Sequence, residues 1–258
     1  MTVTVLLENT TCTPNLTTEH GLSLYIETNH RRILFDMGQT DLFARNADTL
    51  GIDLSTVDTA ILSHGHYDHG GGLPAFLARN QAAPVYISRH AFGRYCNGIG
   101  KYIGLDPALQ GHPRLILTDG ETNLGDGLTL YADTPLPTIC DLGTFGLTSE
   151  TDGVRTPDPF RHEQYLLVQE SGRRILFSGC SHRGILNIVE HFRPDILVGG
   201  FHVSKMPTDT PLSDLARQLA AYGTDFYTCH CTGLPQYTHM ARFMPRLHAV
   251  ATGTSLNL

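Results

Sequence analysis

The sequence predicts an α+β fold, a four-layer αββα sandwich, and three observations lead to that expectation. Residues 2 to 8, 22 to 28 and 32 to 36 cluster or alternate β-branched and apolar types, which predicts consecutive strands joined by short turns such as Asn29-His30. After residue 164 the pattern changes to strand alternating with helix. Between the two regimes lies a histidine-rich loop that follows one strand and precedes a helix.

Taken in order, residues 39 to 51 carry Leu42, Phe43, Ala47 and Leu50 at helical spacing, and Thr59 to Leu62 reads as a short strand. Gly70, Gly71 and Gly72 let backbone pass close to whatever the histidines hold, and residues 73 to 79 open a helix. After a strand at 84 to 88 the periodicity weakens, with short apolar pieces at 114 to 117 and 128 to 131, so 88 to 160 is expected to hold hairpins and an irregular lid or insertion. The pattern then returns. Strands are predicted at 164 to 168 and 174 to 177, a helix near 184 to 192, a strand at 195 to 198, a helix from 211 to 222 begun by Pro211, and a strand at 225 to 228. One domain spanning 1 to 258 is expected.

Composition narrows the function classes. Eighteen Lys and Arg against 25 Asp and Glu leave a net charge of −7, which offers no long-range attraction to nucleic acid or to acidic membranes. A small-molecule partner is expected, and the oligomeric state is open. No stretch approaches the roughly 20 apolar residues of a membrane span, and the N-terminus lacks the basic flank of a signal peptide. The six cysteines are scattered rather than spaced as a disulfide framework, so a cytoplasmic location is expected.

The chemistry is concentrated in Ser63-His64-Gly65-His66-Tyr67-Asp68-His69, where four candidate ligands fall within six residues. At this chain's own residue frequencies such a run arises by chance in roughly a few of every thousand chains. Imidazole and carboxylate donors suit borderline divalent metals, and a coordination position left open admits water.

These residues resemble the His-x-His-x-Asp-His signature of the metallo-β-lactamase superfamily, matched at His64, His66, Asp68 and His69. The resemblance implies the αββα fold and two metal positions, with further ligands at later strand ends. Cys180 stands where the family usually has a bridging aspartate, and a thiolate can ligate or bridge zinc. Upstream, His162 or Glu163 could complete a site. His182, in the Cys180 loop, is expected as a ligand or its support, and His230 matches the family's last histidine. Asp36 would orient the metal loop through hydrogen bonds. Cys229 and Cys231 flank His230 and read as small buried residues rather than as a metal pair.

Further strings, including Glu19-His20-Gly21, Gly179-Cys180-Ser181-His182, Gly199-Gly200-Phe201-His202 and His230-Cys231-Thr232-Gly233, are similar to the branch of methanopterin-related dihydropterin synthases. The expected function is metal-dependent hydrolysis of a small ester, amide or phosphoester by a zinc-bound hydroxide. One or two zinc ions are expected, with iron or manganese as alternatives. Asp68, His202 and His20 are the candidate catalytic groups. Arg89, His90, Arg94, Tyr95, Lys101 and Tyr102 could grip an anionic or aromatic substrate, or form a solvated face. The rival readings are a dihydropterin-linked C–N bond-forming synthase and a non-hydrolytic redox or ligand-binding metalloprotein.

Overall fold

The computed structural model describes residues 1–258. The first half contains β1 (Thr2–Leu7), β2 (Ser23–Glu27), β3 (Arg32–Phe35), α1 (Leu42–Leu50), β4 (Thr59–Ile61), α2 (Tyr67–Gly70), α3 (Leu73–Arg79), β5 (Val85–Ser88), β6 (Arg94–Cys96), β7 (Leu115–Thr118), β8 (Gly120–Gly125) and β9 (Leu128–Ala132). The second half contains β10 (Thr148–Thr151), β11 (Val154–Pro157), β12 (Gln164–Glu170), β13 (Arg173–Phe177), α4 (Ile185–Phe192), β14 (Ile196–Val198), α5 (Thr210–Ala220), β15 (Asp225–Thr228), α6 (Leu234–Met240), β16 (Leu247–Ala249) and β17 (Ser255–Asn257).

Two seven-stranded sheets result, ordered β17-β1-β2-β3-β4-β5-β7 and β16-β15-β14-β13-β12-β9-β8. They pack face to face through Leu24, Phe35 and Ile61 on one side and Leu166, Phe177 and Val198 on the other. The Phe35 and Phe177 rings meet at 5.9 Å in a tilted arrangement, within the range favoured by aromatic quadrupoles. The outer face of the first sheet is covered by α1 and α3 through Phe43, Ala47, Leu73 and Phe76. The second is covered by α4, α5 and α6 through Ile188, Leu215 and Met240. This is the αββα sandwich expected from the pattern of elements.

Local chemistry explains the boundaries. The β2–β3 turn is closed by the Thr28 hydroxyl, which accepts from the amides of His30 and Arg31. Helix α1 stops at Gly51, whose φ of 73° lies in the left-handed region glycine tolerates. No helix is long and apolar enough to cross a membrane.

Over 88 to 160 the expected hairpins are present, but β7, β8 and β9 belong to the two main sheets rather than to a lid. Strand β7 pairs with β5 in the first sheet, and β8 and β9 extend the second. Only β6, β10 and β11 form a separate three-stranded sheet, and residues 133 to 147 carry no strand or helix. The weak periodicity has a physical cause: β7 and β8 lie at sheet edges and are largely exposed, so neither face demands apolar alternation.

Strands β3 and β4 run parallel, as do β13, β14 and β15. Their carboxyl ends, with the start of antiparallel β12, converge on one edge of the sandwich. There the two sheets are tied by the Gln164 amide donating to the Ser63 carbonyl at 2.7 Å. The approach is close enough that a Cβ on Gly179 would lie 2.1 Å from Ser63 Oγ, so only glycine fits there.

Candidate metal centre

Three buried carboxylates each clamp one loop on this edge. Asp36, at the end of β3, accepts from the Ser63 amide at 2.7 Å, from the Ser63 hydroxyl at 2.7 Å and from His69 Nδ1 at 2.6 Å. Glu163 accepts from the amides of His182 and Arg183, at 2.7 and 3.1 Å, and from the Tyr165 hydroxyl at 2.7 Å. Glu8, after β1, accepts from the His230 amide at 2.6 Å and from the Thr10 amide and hydroxyl. The backbone these acids restrain is unusual. Asp36, Ser181, His202 and His230 all have φ between 50° and 61°, a conformation that costs non-glycine residues energy and persists where surroundings over-determine it.

Hydrogen bonds also decide which imidazole nitrogen is free. His64 Nδ1 lies 2.8 Å from the Ser63 hydroxyl, whose own proton goes to Asp36. His69 Nδ1 donates to Asp36, and His230 Nδ1 lies 2.9 Å from the Asn9 amide oxygen. In the neutral ring each arrangement places the proton on Nδ1 and leaves the Nε2 lone pair for another partner.

Those Nε2 atoms face one another. His64 Nε2 is 3.3 Å from His182 Nε2, and His69 Nε2 is 3.2 Å from His230 Nε2 and 3.2 Å from Cys180 Sγ. Two nitrogens each about 2.05 Å from a tetrahedral ion sit about 3.3 Å apart, so the spacing suits a pair of ligands on one cation. His66 Nε2 is buried without a partner, as expected of a ligand atom awaiting an ion. Two sets emerge: His64, His66 and His182, and the neighbouring His69, Cys180, His230 and Asp68. Asp68 Oδ2 reaches His230 Nε2 at 3.4 Å and His69 Nε2 at 4.0 Å.

A model of the metallo-beta-lactamase superfamily matches residues 16–227, which include every member of the first set and all of the second but His230. The chain belongs to that superfamily. A metal-dependent hydrolase of the beta-lactamase superfamily superposes with a TM-score of 0.86 at 29% identity, covering 100% of this chain and 99% of the other. A 7,8-dihydropterin-6-methyl-4-(beta-D-ribofuranosyl)-aminobenzene-5'-phosphate synthase of Methanocaldococcus jannaschii is 27% identical over 90% of this chain and 88% of its own. An uncharacterized protein of the same organism is 28% identical over 87% of this chain and 88% of its own.

Within this superfamily site, His162 departs from expectation. Its Nδ1 accepts from the Gly65 amide at 3.0 Å and its Nε2 faces Asp158 at 3.1 Å, so both nitrogens are committed and it braces the metal loop. Glu163 is not among the facing donors either. It holds the backbone of His182, and His182 is the residue that joins His64 and His66.

His20 stands at the exposed mouth with Nε2 3.3 Å from Asp68 Oδ2. His202 lies deeper, its ring 4.1 Å from that of His182 and neither ring nitrogen hydrogen-bonded. The basic groups expected to grip substrate are occupied elsewhere: Arg89 pairs with Asp119 and Arg94 with Glu150. Tyr102 donates to the Leu105 carbonyl, and the Tyr95 ring packs on His162 at 3.9 Å. His90 Nε2 faces Asp133 at 3.5 Å, and Lys101 Nζ lies over the Tyr67 ring at 5.9 Å.

Sequence reasoning missed Glu8 and Asn9, the supports of His230, because contacts 222 and 221 residues apart leave no local pattern. Cys229 and Cys231 are buried, as expected of small residues beside His230, and Cys231 Sγ also lies within 4.8 Å of the ligand atoms of Cys180 and His230.

The centre makes the metal-free protein sensitive to pH. Burial, reinforced by neighbouring imidazoles, holds His64, His66 and His182 well below the usual imidazole value. Burial also works against the charged form of His69, but the Asp36 carboxylate outweighs it and raises the value. Unfolded imidazoles titrate near about pH 6.5. Below that pH the unfolded chain takes up protons that three folded histidines refuse, so stability falls with acidification. Above it, folded His69 keeps a proton the unfolded chain has lost, and that contribution fades as pH rises through its raised value. Urea midpoints of chelated protein should therefore peak near about pH 6.5 and drop most steeply on the acid side. Midpoints that keep rising down to pH 5 would contradict this assignment.

Proposed function

We propose that the protein is a hydrolase of small ester, amide or phosphoester substrates that works with two divalent cations, zinc in both positions. The observation that carries this reading is the set of imidazole Nε2 atoms facing each other at 3.2 to 3.3 Å in two adjacent groups. His64, His66 and His182 would hold one ion, and Asp68, His69, His230 and Cys180 the other. When bound, the ions supply Lewis acidity and make nearby water a stronger nucleophile.

The chain's own residues do the rest. Asp68 offers Oδ2 between His20 and His230, where it can orient the attacking water. His202, with both ring nitrogens free, is placed to pass a proton to the leaving group. A cavity of about 250 Å³ opens beside His182, lined by Leu136, Thr144, Phe160, Arg183 and Asn187, and would seat a small substrate. The 29% identical metal-dependent hydrolase supports the reading.

A second reading, a synthase joining a dihydropterin to an aminobenzene ribosyl phosphate, has the 27% identical synthase in its favour. Metal analysis of the purified protein, with assays on nitrophenyl esters and phosphodiesters before and after chelation, separates the two. About two ions per chain and hydrolysis that disappears on chelation and returns with zinc are expected. Metal-loaded protein that leaves these substrates intact but consumes both synthase substrates would replace hydrolase with synthase.

A further inference from the structure

Cys231 sits where a ligand would, although Cys229, two residues earlier, does not. Cys229 packs in the core between the sheets with Ile196 and Val250. The chain then passes through His230 at φ 50° into a single turn of 3₁₀ helix, and this turn brings the side chains of residues 230 and 231 to the same side. As a result Cys231 Sγ, Cys180 Sγ and a His230 ring nitrogen all lie within 4.8 Å of one another. Both sulfurs are almost wholly buried, at 5% and 2% exposure. The sulfur of Cys231 accepts the His202 amide at 3.2 Å and lies 3.4 Å from the Cys180 carbonyl. Gly200 makes room for it, since a Cβ there would come within 2.4 Å of the sulfur.

We propose that Cys231 supplies a second thiolate, beside Cys180, to the ion held by Asp68, His69 and His230. The inference rests on the metal-bearing reading of the site and adds a ligand to it. Two thiolates with imidazoles and a carboxylate make this end selective for thiophilic cations such as zinc, cobalt or cadmium, and poor for magnesium or calcium. Binding releases the protons of both thiols. The other end offers three neutral imidazoles and no anionic donor. Its ion is therefore the first to leave under a chelator, and the thiolate-bound ion is the last.

The test uses the full chain, stripped of metal and reloaded with Co²⁺. Thiolate-to-cobalt charge-transfer absorption in the near ultraviolet should fall by about half in Cys231→Ser and in Cys180→Ser, and stay unchanged in Cys229→Ser. Full absorption in Cys231→Ser with unaltered cobalt content overturns the proposal. Should that variant fail to fold, X-ray absorption of wild-type protein loaded with one equivalent of Co²⁺ answers the same question. Two sulfur scatterers per cobalt are expected, and one or none overturns the assignment. Two sulfurs without any hydrolysis would leave the thiolate pair standing and remove the hydrolase reading. One sulfur with hydrolysis intact would do the reverse.

Discussion

If the proposed two-ion hydrolase holds, His64→Ala is expected to cost one of the two ions and to lower hydrolysis by about 10³-fold, since a Lewis-acidic ion contributes several kcal/mol to such reactions and each 1.36 kcal/mol is tenfold in rate. His64 occupies the junction between the ligand groups: its Nε2 faces His182, and it also belongs to the set containing His69 and Cys180. Its ring is positioned through Ser63, which is itself held by Asp36. Alanine removes a donor without creating a buried charge, so the fold should survive while the site fails. Metal content and turnover measured on the same preparation check the prediction. A variant that retains about two ions per chain and near wild-type turnover would remove His64 from the centre.

The second large effect is on stability. Glu163→Ala strips the partner from two backbone amides and from the buried hydroxyl of Tyr165 in a single substitution. Each of the three orphaned donors costs at least about 1 kcal/mol, so a loss of at least about 3 kcal/mol is expected. For a chain of this size that lowers the melting temperature by about 10 °C. Because the His182 backbone is what Glu163 holds, binding of the ion proposed at His64, His66 and His182 should weaken by about 10–100-fold. Glu163→Gln keeps acceptor capacity and should recover part of both losses. Thermal unfolding and metal titration of the two variants read the outcome. Equal melting temperatures for wild type and Glu163→Ala would show that the carboxylate does not clamp this loop.

Much of the site was legible because its chemistry is local. Four of the donors lie between His64 and His69, and glycines mark the tight passages around Cys180 and His202. His162 was misread for an instructive reason. A histidine at the start of a strand on the correct edge satisfies every sequence criterion for a ligand, and only the partners of its two nitrogens, Gly65 and Asp158, show that it is used otherwise. Cys231 was read as a small buried residue, and it is buried at 5% exposure, but its neighbours were not legible. Strand alternation would place it with Cys229, away from His230, but the left-handed turn at His230 breaks the alternation.

Similarly, the long region after residue 88 looked irregular because edge strands lack a buried face. Pairing with β5 and β9, which is non-local, makes them strands.

By itself the sequence determined the αββα order of layers, through hydrophobic periodicity, and the metal-binding character of the loop after β4, through residue type and spacing. Tertiary structure alone decided which nitrogen of each imidazole is free, which histidines face each other, and which carboxylates hold backbone rather than metal. The physical reason is that periodicity and propensity act over a few residues. Hydrogen-bond partners and ligand spacing are set by strand ends that meet only when two sheets pack.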